Sequence, residues 1–415
     1  MIVMKIGEFA RKYGIPKDTI RYYIRLGLLL PHIVGSQLDF SPTDGQDLLH
    51  ILQFKQMRMN LADIRSLLYL RRMSNVIEPG TLQQCLSILE KKRLDLQEEQ
   101  KTLQESLAAV EKKIHWLNEQ RSRPRKASSG IPLLAVPLLA CPHCHHQLQI
   151  KDAAIQGKYI MSGQLFCSCG WKAEIQDGIV LTGNLYTGTH DTPDLERKLY
   201  HETGPQFSIV GPRAPEYMLQ QLKKLDTHHK VIFEANINGF FFTYNFLPQL
   251  PHDCLYIIVD KYPEVLHLYK ILTETLYQDL DILYIADAGE SLPLAPDSLD
   301  IYVALLGETE YCYYHKNYQL HDIALQLKKG AAIIGAMPSF SRDSRSRKAL
   351  YEKYPEGIPR MANIDYFRND YAQLGAPLET KLLGTVTQTL KHHMFTAHKD
   401  GEPMELYGYT GIFHK

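Results

Sequence analysis

The stretch VIFEANINGFFF, residues 231–242, joins a run of β-branched and aromatic residues to a turn rich in asparagine. The run VIFEA (231–235) has the length and composition of a buried strand. Similar runs follow at LYIIVD (255–260) and ILYIADA (282–288), and EVLHLYKILTETL (264–276) between them has a helical pattern. Strands that alternate with helices predict a mainly parallel, Rossmann-like α/β sheet with helices on both faces.

This pattern continues toward the C-terminus and brings acidic residues to the ends of strands. Two more strands and another helix are predicted at LDIYVALL (299–306), GAAIIGAMP (330–338) and NYQLHDIALQLKKG (317–330). Glu234 lies in the first strand, Asp260 ends the second 26 residues later, and Asp287 follows after another 27 residues. Such sheets bind ligands at the carboxyl ends of their strands, so these acids are candidate pocket residues.

About 110 residues of this segment resemble class I S-adenosylmethionine-dependent methyltransferases. The resemblance rests on the spacing of the acids and on KKGAAIIGA (328–336), which matches a lysine-proline-glycine-glycine turn with the proline and one glycine changed. In that family the second-strand acid binds the ribose hydroxyls, which corresponds to Asp260. The third-strand acid faces the adenine amino group, which corresponds to Asp287. A carboxylate suits both positions because it accepts hydrogen bonds from donors on the ligand.

The first-strand loop departs from the family pattern, which is an acid, an apolar residue and then Gly-x-Gly-x-Gly. Aligned on Glu234, the three glycines become Asn236, Asn238 and Phe240. Glycines let the backbone take positive φ and approach the ligand closely. Asparagine tolerates left-handed φ better than most residues. We therefore expect the two asparagines to keep the turn, while their side chains occupy part of the pocket.

The C-terminal domain, residues 195–415, is expected to hold a small molecule rather than to catalyse a reaction. The resemblance implies a pocket for S-adenosylmethionine or a related small molecule, lined by Glu234, Asn236, Asn238, Asp260 and Asp287. No catalytic residue is predicted, because no acid–base pair or substrate motif stands out. A fold kept for its packing alone and an active methyltransferase are the two alternatives.

The N-terminal segment has a different pattern, with two short helices predicted at KIGEFARKYG (5–14) and KDTIRYYIRLGLL (17–29). Gly14 is a typical helix stop, and Pro16 is typical of the start of the next helix. Residues 1–72 contain eleven Lys or Arg and six Asp or Glu, a formal charge of +5 in a chain whose net charge is zero. Two short helices joined by a tight turn, with local positive charge, predict a DNA-binding helix-turn-helix.

Residues 1–77 resemble the winged helix-turn-helix domain of the MerR family of transcriptional regulators. The resemblance is carried by KIGEFARKYGIPKDTIRYYIRLGLLLP (5–31) and by the helix pair that begins after Phe40. Ile24 replaces the family's usual glutamate, and the wing SQLDF (36–40) lacks its arginine, which should weaken the grip on phosphates. The recognition helix supplies the predicted DNA contacts, Lys17, Thr19, Arg21, Tyr22, Tyr23 and Arg25. A helical module that does not bind DNA is the alternative.

Residues 78–120 predict a dimerisation helix. Between Leu82 and Leu117, eleven positions follow an alternating four-three spacing, and all but Arg93 and Gln100 are Leu, Val or Ile. This spacing places an apolar seam along one side of a long helix, which favours a homodimeric coiled coil. MerR-like proteins pair such helices antiparallel to join two DNA-binding domains. A helix that packs on its own chain is the alternative.

A zinc ribbon is predicted at residues 141–183, after a linker at residues 121–140. CPHCHHQL (141–148) and FCSCGW (166–171) place two cysteine pairs 22 residues apart. Four thiolates suit a tetrahedral structural Zn²⁺, held by Cys141, Cys144, Cys167 and Cys169. One of the neighbouring histidines replacing a cysteine, or a cluster without metal, are the alternatives. The ribbon resembles the one that precedes certain methyltransferase domains.

The totals for the 415 residues predict a multidomain protein of the cytoplasm. No apolar run approaches the roughly 20 residues that span a membrane, and the first residues do not read as a signal peptide. Four of the seven cysteines lie in one short segment, which favours a metal site in a reducing compartment over a disulfide framework.

Together these segments predict a dimeric transcriptional regulator of the MerR type. Its expected partners are double-stranded promoter DNA, RNA polymerase at the promoter, and a small-molecule effector bound by the methyltransferase-like domain. The alternative is an S-adenosylmethionine-dependent methyltransferase, acting on RNA or a small molecule, with a regulatory DNA-binding module. The first-strand loop separates the two, because an enzyme needs a loop that binds the cofactor in a reactive position.

Overall fold

The computed structural model describes residues 4–35, 37–73, 78–121, 128–197, 204–276, 280–389 and 396–415. The chain forms two compact units, Met1–Ser122 and Arg123–Lys415. Within the described ranges, no helix combines the length and the hydrophobicity that crossing a membrane requires.

The first unit is mainly helical. Its helices are α1 (Ile6–Tyr13), α2 (Lys17–Arg25), α3 (Pro42–Gln56), α4 (Leu61–Met73) and α5 (Pro79–Arg121). A small antiparallel sheet, in the order β1-β3-β2, is formed by β1 (Met4–Lys5), β2 (His32–Val34) and β3 (Gln37–Phe40).

The turn between α1 and α2 follows from its sequence. Gly14 takes a left-handed φ of 66° and donates its N–H to the carbonyl of Ala10, which ends α1. Phe9 is fully buried and stacks on Phe40 with 4.2 Å between ring centroids, so the helix pair packs on the small sheet. The winged helix-turn-helix predicted for this segment is confirmed.

An ion pair holds α4 against the rest of this unit. Arg72 donates to Asp47 on α3 at 2.7 Å and to the carbonyl of Leu28 at 2.6 Å. Asp47 is buried, so its charge depends on this partner. The contact fixes the end of the recognition helix α2 relative to the helix pair that follows it.

Helix α5 runs for 43 residues, with an apolar stripe exposed along it. Leu103 is 66% exposed, and Leu107, Val110 and Ile114 are exposed at the same four-three spacing. The start of the helix differs, because Ile88 packs against the core of the first unit. The long helix predicted from the seam is present.

The second unit contains a large mixed sheet and the helices around it. Its strands are β4 (Ile131–Pro132), β5 (Gln149–Gln156), β6 (Tyr159–Phe166), β7 (Lys172–Gln176), β8 (Ile179–Leu181), β9 (Val231–Ala235), β10 (Leu255–Asp260), β11 (Asp281–Ala286), β12 (Leu299–Leu305), β13 (Leu327–Ser339), β14 (Leu378–Val386) and β15 (Met404–Ile412). Its helices are α6 (Pro205–Val210), α7 (Arg213–Leu222), α8 (Phe242–Phe246), α9 (Pro263–Leu276), α10 (Gly307–Tyr314), α11 (Leu320–Ile323), α12 (Arg345–Lys353) and α13 (Ile364–Gln373).

The C-terminal part of this sheet has the order β11-β10-β9-β12-β13-β15-β14. All are parallel except β15, which lies antiparallel between β13 and β14. The order of the strands reverses at β9: β10 and β11 are added on one side of it, and β12 and β13 on the other. The gap between β9 and β12 is the switch point at which such sheets bind ligands. The predicted Rossmann-like, methyltransferase-type fold is confirmed from this topology.

The predicted strands agree with the structure more closely than the predicted helices. β9 and β10 have the predicted bounds, and every residue in them is buried. The helix predicted at residues 317–330 is wrong in extent, because helix forms only over Leu320–Ile323. Leu327 instead pairs with Leu299 as β13 begins, so strand pairing overrides the local helical pattern there.

The cysteine-rich segment joins the same sheet, which was not predicted. Strand β8 pairs in parallel with β11, with Ile179 opposite Tyr284 and Leu181 opposite Ala286. β7, β6 and β4 extend the sheet from there by antiparallel pairing. The chain therefore leaves β8 at the edge of the switch-point region, beside the carboxyl end of β11.

Candidate functional site

Glu234, in strand β9, stabilises the loop that follows this strand. Both oxygens of the Glu234 carboxylate accept backbone hydrogen bonds, from Phe242 at 2.7 Å and Thr243 at 2.9 Å. These donors are the first N–H groups of α8, so Glu234 caps that helix. Burial raises the pKa of Glu234 to about 7, although the contacts with Thr243 and Phe242 lower it.

The two asparagines of the loop have different roles. Asn236 takes a φ of 57°, which confirms the expected left-handed backbone, and its amide donates to Gln319 at 3.1 Å. Asn238 is not among the described residues with positive φ. Its backbone N–H donates to Asp260, and its side chain contacts Asp191 and Thr192. The loop thus keeps its turn with one left-handed asparagine.

Asp260, the acid that the resemblance assigns to ribose binding, accepts hydrogen bonds from its own chain. Asp260 accepts the N–H groups of Asn238 and Tyr262, each at 2.9 Å. Burial and then the nearby Glu310 carboxylate raise the pKa of Asp260 to about 7, and Lys261 opposes that shift. Two of its lone pairs are therefore used inside the protein.

Asp287, the acid that the resemblance places opposite an adenine amino group, also accepts hydrogen bonds from its own chain. Asp287 accepts hydrogen bonds from Thr182 at 2.6 Å, from Asn184 at 3.1 Å and from the N–H of Gly289 at 2.6 Å. Burial raises the pKa of Asp287 to about 6. Thr182 and Asn184 directly follow β8, so the cysteine-rich segment delivers both donors to this acid.

A buried lysine lies beside these acids, and sequence reasoning missed it. Lys261 is 2% exposed and its ammonium lies 2.5 Å from Glu310 and 3.0 Å from Asp191. The ring of Tyr314 is centred 4.4 Å away, within cation–π range. Burial disfavours the ammonium, but Glu310 and Asp191 outweigh it and raise the pKa of Lys261 above its ordinary value. A lysine directly after a strand-end acid was the available signal.

Residues 182–197, here called the cover segment, run across the carboxyl ends of the central strands. The segment contacts Asp287 near its start and Lys261 through Asp191. Near its end, Arg197 donates to the carbonyls of Asn238 at 2.6 Å and Gly239 at 2.8 Å. The cover segment therefore contacts two of the five predicted cofactor residues, Asn238 and Asp287, and pairs with Lys261, which follows a third, Asp260.

The four predicted zinc ligands also come together. The sulfur atoms of Cys141, Cys144, Cys167 and Cys169 all lie within 4.8 Å of one another. The shortest separations, 3.3 and 3.4 Å, are too long for a disulfide and near the roughly 3.8 Å edge of a zinc–thiolate tetrahedron. The pKa of Cys167 is lowered to about 6, mainly because its sulfur accepts a hydrogen bond from the backbone N–H of Cys169. The four residues present therefore fit a metal ion after small side-chain shifts.

The predicted DNA-contacting residues lie on α2, and most of them are accessible. Lys17, Arg21 and Arg25 are exposed, and Tyr22 is 42% exposed. Thr19 is half-buried. Tyr23 differs, because it is only 4% exposed and belongs to the core of the first unit. In the wing, where Leu38 and Asp39 stand in place of the arginine, Asp39 pairs with Lys5.

Residues 4–70 match the family described as "MerR HTH family regulatory protein", so this part of the chain is a MerR-type helix-turn-helix domain. A putative MerR family transcriptional regulator from Listeria monocytogenes is 28% identical over 28% of this chain and 92% of its own, with a TM-score of 0.24.

Two methyltransferase structures are also similar. Phosphoethanolamine N-methyltransferase 2 from Haemonchus contortus, in complex with S-adenosyl-L-methionine, is 12% identical, with a TM-score of 0.37, over 48% of this chain and 53% of its own. This chain thus spans about half the length of that enzyme. An S-adenosylmethionine-dependent methyltransferase from Aquifex aeolicus is 11% identical, with a TM-score of 0.35, over 54% and 99%. No curated protein matches the chain.

Replacing Glu234 by glutamine tests its buried, raised pKa. A carboxyl whose folded pKa is about 7 and whose unfolded pKa is near 4.5 favours folding at low pH. That stability is lost as the pH rises from the unfolded value through 7. The difference in unfolding free energy between wild type and Glu234→Gln should therefore be larger at pH 5.5 than at pH 8, by about 2 kcal/mol.

Urea unfolding of both proteins at the two pH values measures that difference. Glu216→Gln is the control, because Glu216 is exposed on α7 and the substitution removes a carboxyl from the surface rather than from the core. An equal wild-type-to-variant difference at both pH values for Glu234→Gln would show that this carboxyl does not titrate with a raised pKa.

Proposed function

We propose that this chain is a dimeric, DNA-binding transcriptional regulator of the MerR type, whose methyltransferase-like domain serves as an effector domain rather than as a catalyst. The observation that carries the proposal is the MerR-type match over residues 4–70, together with the exposed cations of α2. The cover segment supports the second half, because it lies over the strand ends where a methyl donor would have to bind.

Helix α2 is proposed to read promoter DNA. Lys17, Arg21 and Arg25 present three cations from one short helix, which suits phosphates and base edges in the major groove. Arg21 pairs with Asp18 at 2.9 Å, but both side chains are largely exposed, so exchange for a DNA contact costs little. Tyr23, which is buried, would hold the helix from beneath rather than reach the DNA.

Replacing Arg21 by alanine should weaken binding to a DNA fragment from the promoter region of the protein's own gene. The expected loss is about tenfold, or roughly 1.4 kcal/mol. Lys101→Ala is the matched control, because it removes the same charge from an exposed position on α5. Fluorescence anisotropy at one fixed salt concentration measures both. If Arg21→Ala binds as tightly as Lys101→Ala, the proposed role of α2 is wrong.

The dimer is proposed to form through the exposed seam of α5. Leu103, Leu107, Val110 and Ile114 place apolar side chains on one side of a helix that is long enough for several heptads. Burying such a seam against a second copy removes the apolar surface from water. A two-fold dimer would present two copies of α2 to two half-sites, as promoter recognition beside RNA polymerase requires.

The cysteine cluster is proposed to bind structural Zn²⁺. Four thiol sulfurs with tetrahedral spacing match the ligand set and distances that zinc prefers. All four positions of the ion would be filled by the protein, which leaves none for a substrate. In that role the ion would hold the two cysteine turns together at the base of β6 and β7.

The full chain purified without chelators should contain about one equivalent of zinc. Cys144→Ser should lower the content well below half an equivalent, because three ligands close the site less firmly. Cys85→Ser is the control, since Cys85 lies on α5 and is not one of the four clustered cysteines. Metal analysis by mass spectrometry decides, and less than half an equivalent in the wild type would overturn the zinc assignment.

A ligand for the predicted cofactor residues would have to displace the cover segment. S-adenosylmethionine would need the carboxylate of Asp287, which accepts a hydrogen bond from Thr182 of the cover segment, and that of Asp260, which accepts the N–H groups of Asn238 and Tyr262. Each such contact contributes about 1 kcal/mol, so a few of them set a barrier that an effector could still overcome. Binding coupled to movement of the cover segment is the sensing mechanism that we propose.

Loosening the cover segment should therefore strengthen binding of S-adenosylmethionine. Arg197→Ala removes the two contacts to Asn238 and Gly239 and should lower the dissociation constant by about tenfold in calorimetry. Thr192→Ala is the control, because Thr192 contacts Asn238 through its backbone carbonyl. If neither wild type nor Arg197→Ala binds, Asp260 and Asp287 are not cofactor-binding residues.

A further inference from the structure

A separate cavity of about 320 Å³ is lined in part by Phe240 of the first-strand loop. Its wall is mainly apolar and includes Phe207, Ala214, Phe240, Leu305, Leu306 and Leu406. None of the five residues predicted to hold a cofactor is among the described residues that line it. The cavity is therefore distinct from the region under the cover segment, and its volume falls in the range of small-molecule sites.

The chemistry of the wall excludes a charged ligand. None of the eleven described residues that line the cavity has an ionisable side chain. A charge placed there would lose its hydration without gaining a partner. Ser208 and Asn245 are exposed polar residues of the wall, so a hydrogen bond at the mouth is available. An uncharged and largely apolar molecule fits this composition best.

Leu306 gives a second, independent reason to regard the cavity as a built site. Its φ is 59° and its ψ is 0°, a left-handed conformation that a leucine rarely adopts. The next residue, Gly307, passes so close to β9 that a Cβ atom there would lie 2.6 Å from the carbonyl of Ala235. Backbone strain in a pocket wall is typical of functional sites. Here it places the leucine side chain on the cavity surface.

The cavity is also connected to the cover segment. Phe240 stands where the family pattern has its third glycine, and its ring forms part of the wall. The preceding residue, Gly239, donates its N–H to Glu310 at 3.2 Å and accepts from Arg197 at 2.8 Å. A ligand that moves Phe240 would therefore act on the contact that fastens the end of the cover segment.

We propose that this cavity binds an uncharged, largely apolar small molecule, and that this molecule is the effector of the regulator. The proposal rests on the proposed function for its second half, since an effector requires a regulator. Phe240, which replaces the third glycine of the family pattern, then contributes to the wall of a new site. The ligand class expected for this cavity therefore differs from the charged, nucleotide-like class expected at Asp260 and Asp287.

The neutral dye N-phenyl-1-naphthylamine is the probe, titrated against the full chain with its fluorescence excited directly. A saturable rise with about one site per chain is expected. Ser208→Trp should weaken binding by about tenfold or more, because the indole fills the mouth of the cavity. Ile209→Trp is the matched control, because Ile209 is an exposed neighbour on α6 that does not line the cavity, and it should bind as the wild type does.

Asn245→Trp, on a different element, gives an independent second variant and should also weaken binding. Dye binding that does not saturate, or that both cavity variants leave unchanged, overturns the proposal. Anisotropy with promoter DNA, without dye, is measured on the same preparations. Normal DNA binding without a dye site rejects only the cavity, whereas a dye site without DNA binding rejects the regulator function and leaves the cavity standing.

Discussion

The buried ammonium of Lys261, held between Glu310 and Asp191, is the interaction on which the closed form of the strand ends depends. Taking three charges out of water costs several kcal/mol per ion, and only close pairing offsets that cost. The lysine comes from the end of β10, Glu310 from α10 and Asp191 from the cover segment. One cation thus joins three elements that are distant in the chain, and moving any of them leaves a buried charge without its partner.

Strand pairing connects the cysteine cluster to the strand ends. Strand β8 carries the chain from the cysteine turns into parallel pairing with β11. Thr182 and Asn184 come directly after it and reach Asp287. A metal ion that fixes the cysteine turns would therefore stabilise the origin of the cover segment, although it lies apart from the predicted pocket. A purely structural ion would then influence ligand access.

Local patterns in the sequence predicted the elements but not the contacts between them. The bounds of β9 and β10, the left-handed Asn236 and the cysteine cluster follow from short-range periodicity and spacing. The cover segment was missed, because Thr182 and Asp287 are 105 residues apart and no period links them. The helix predicted at residues 317–330 fails for the same reason, since pairing with β12 decides the conformation of Leu327. Conformations set by distant partners carry no local signal.

The replacement of the loop glycines is physically consistent with sensing. Phe240 and Asn238 stand where the family pattern has glycines, and the loop that carries them is held by several contacts, including backbone N–H groups that donate to Asp260 and Glu310. A regulator that distorts promoter DNA must shift an equilibrium by a few kcal/mol, and a ligand can do so only through differential affinity for two states. Displacing the cover segment breaks its hydrogen bonds to Asp287 and Asn238 and also its ion pair with Lys261, so its cost exceeds that of the hydrogen bonds alone. A ligand that moved the loop would therefore have to supply contacts of its own that replace those made by the cover segment.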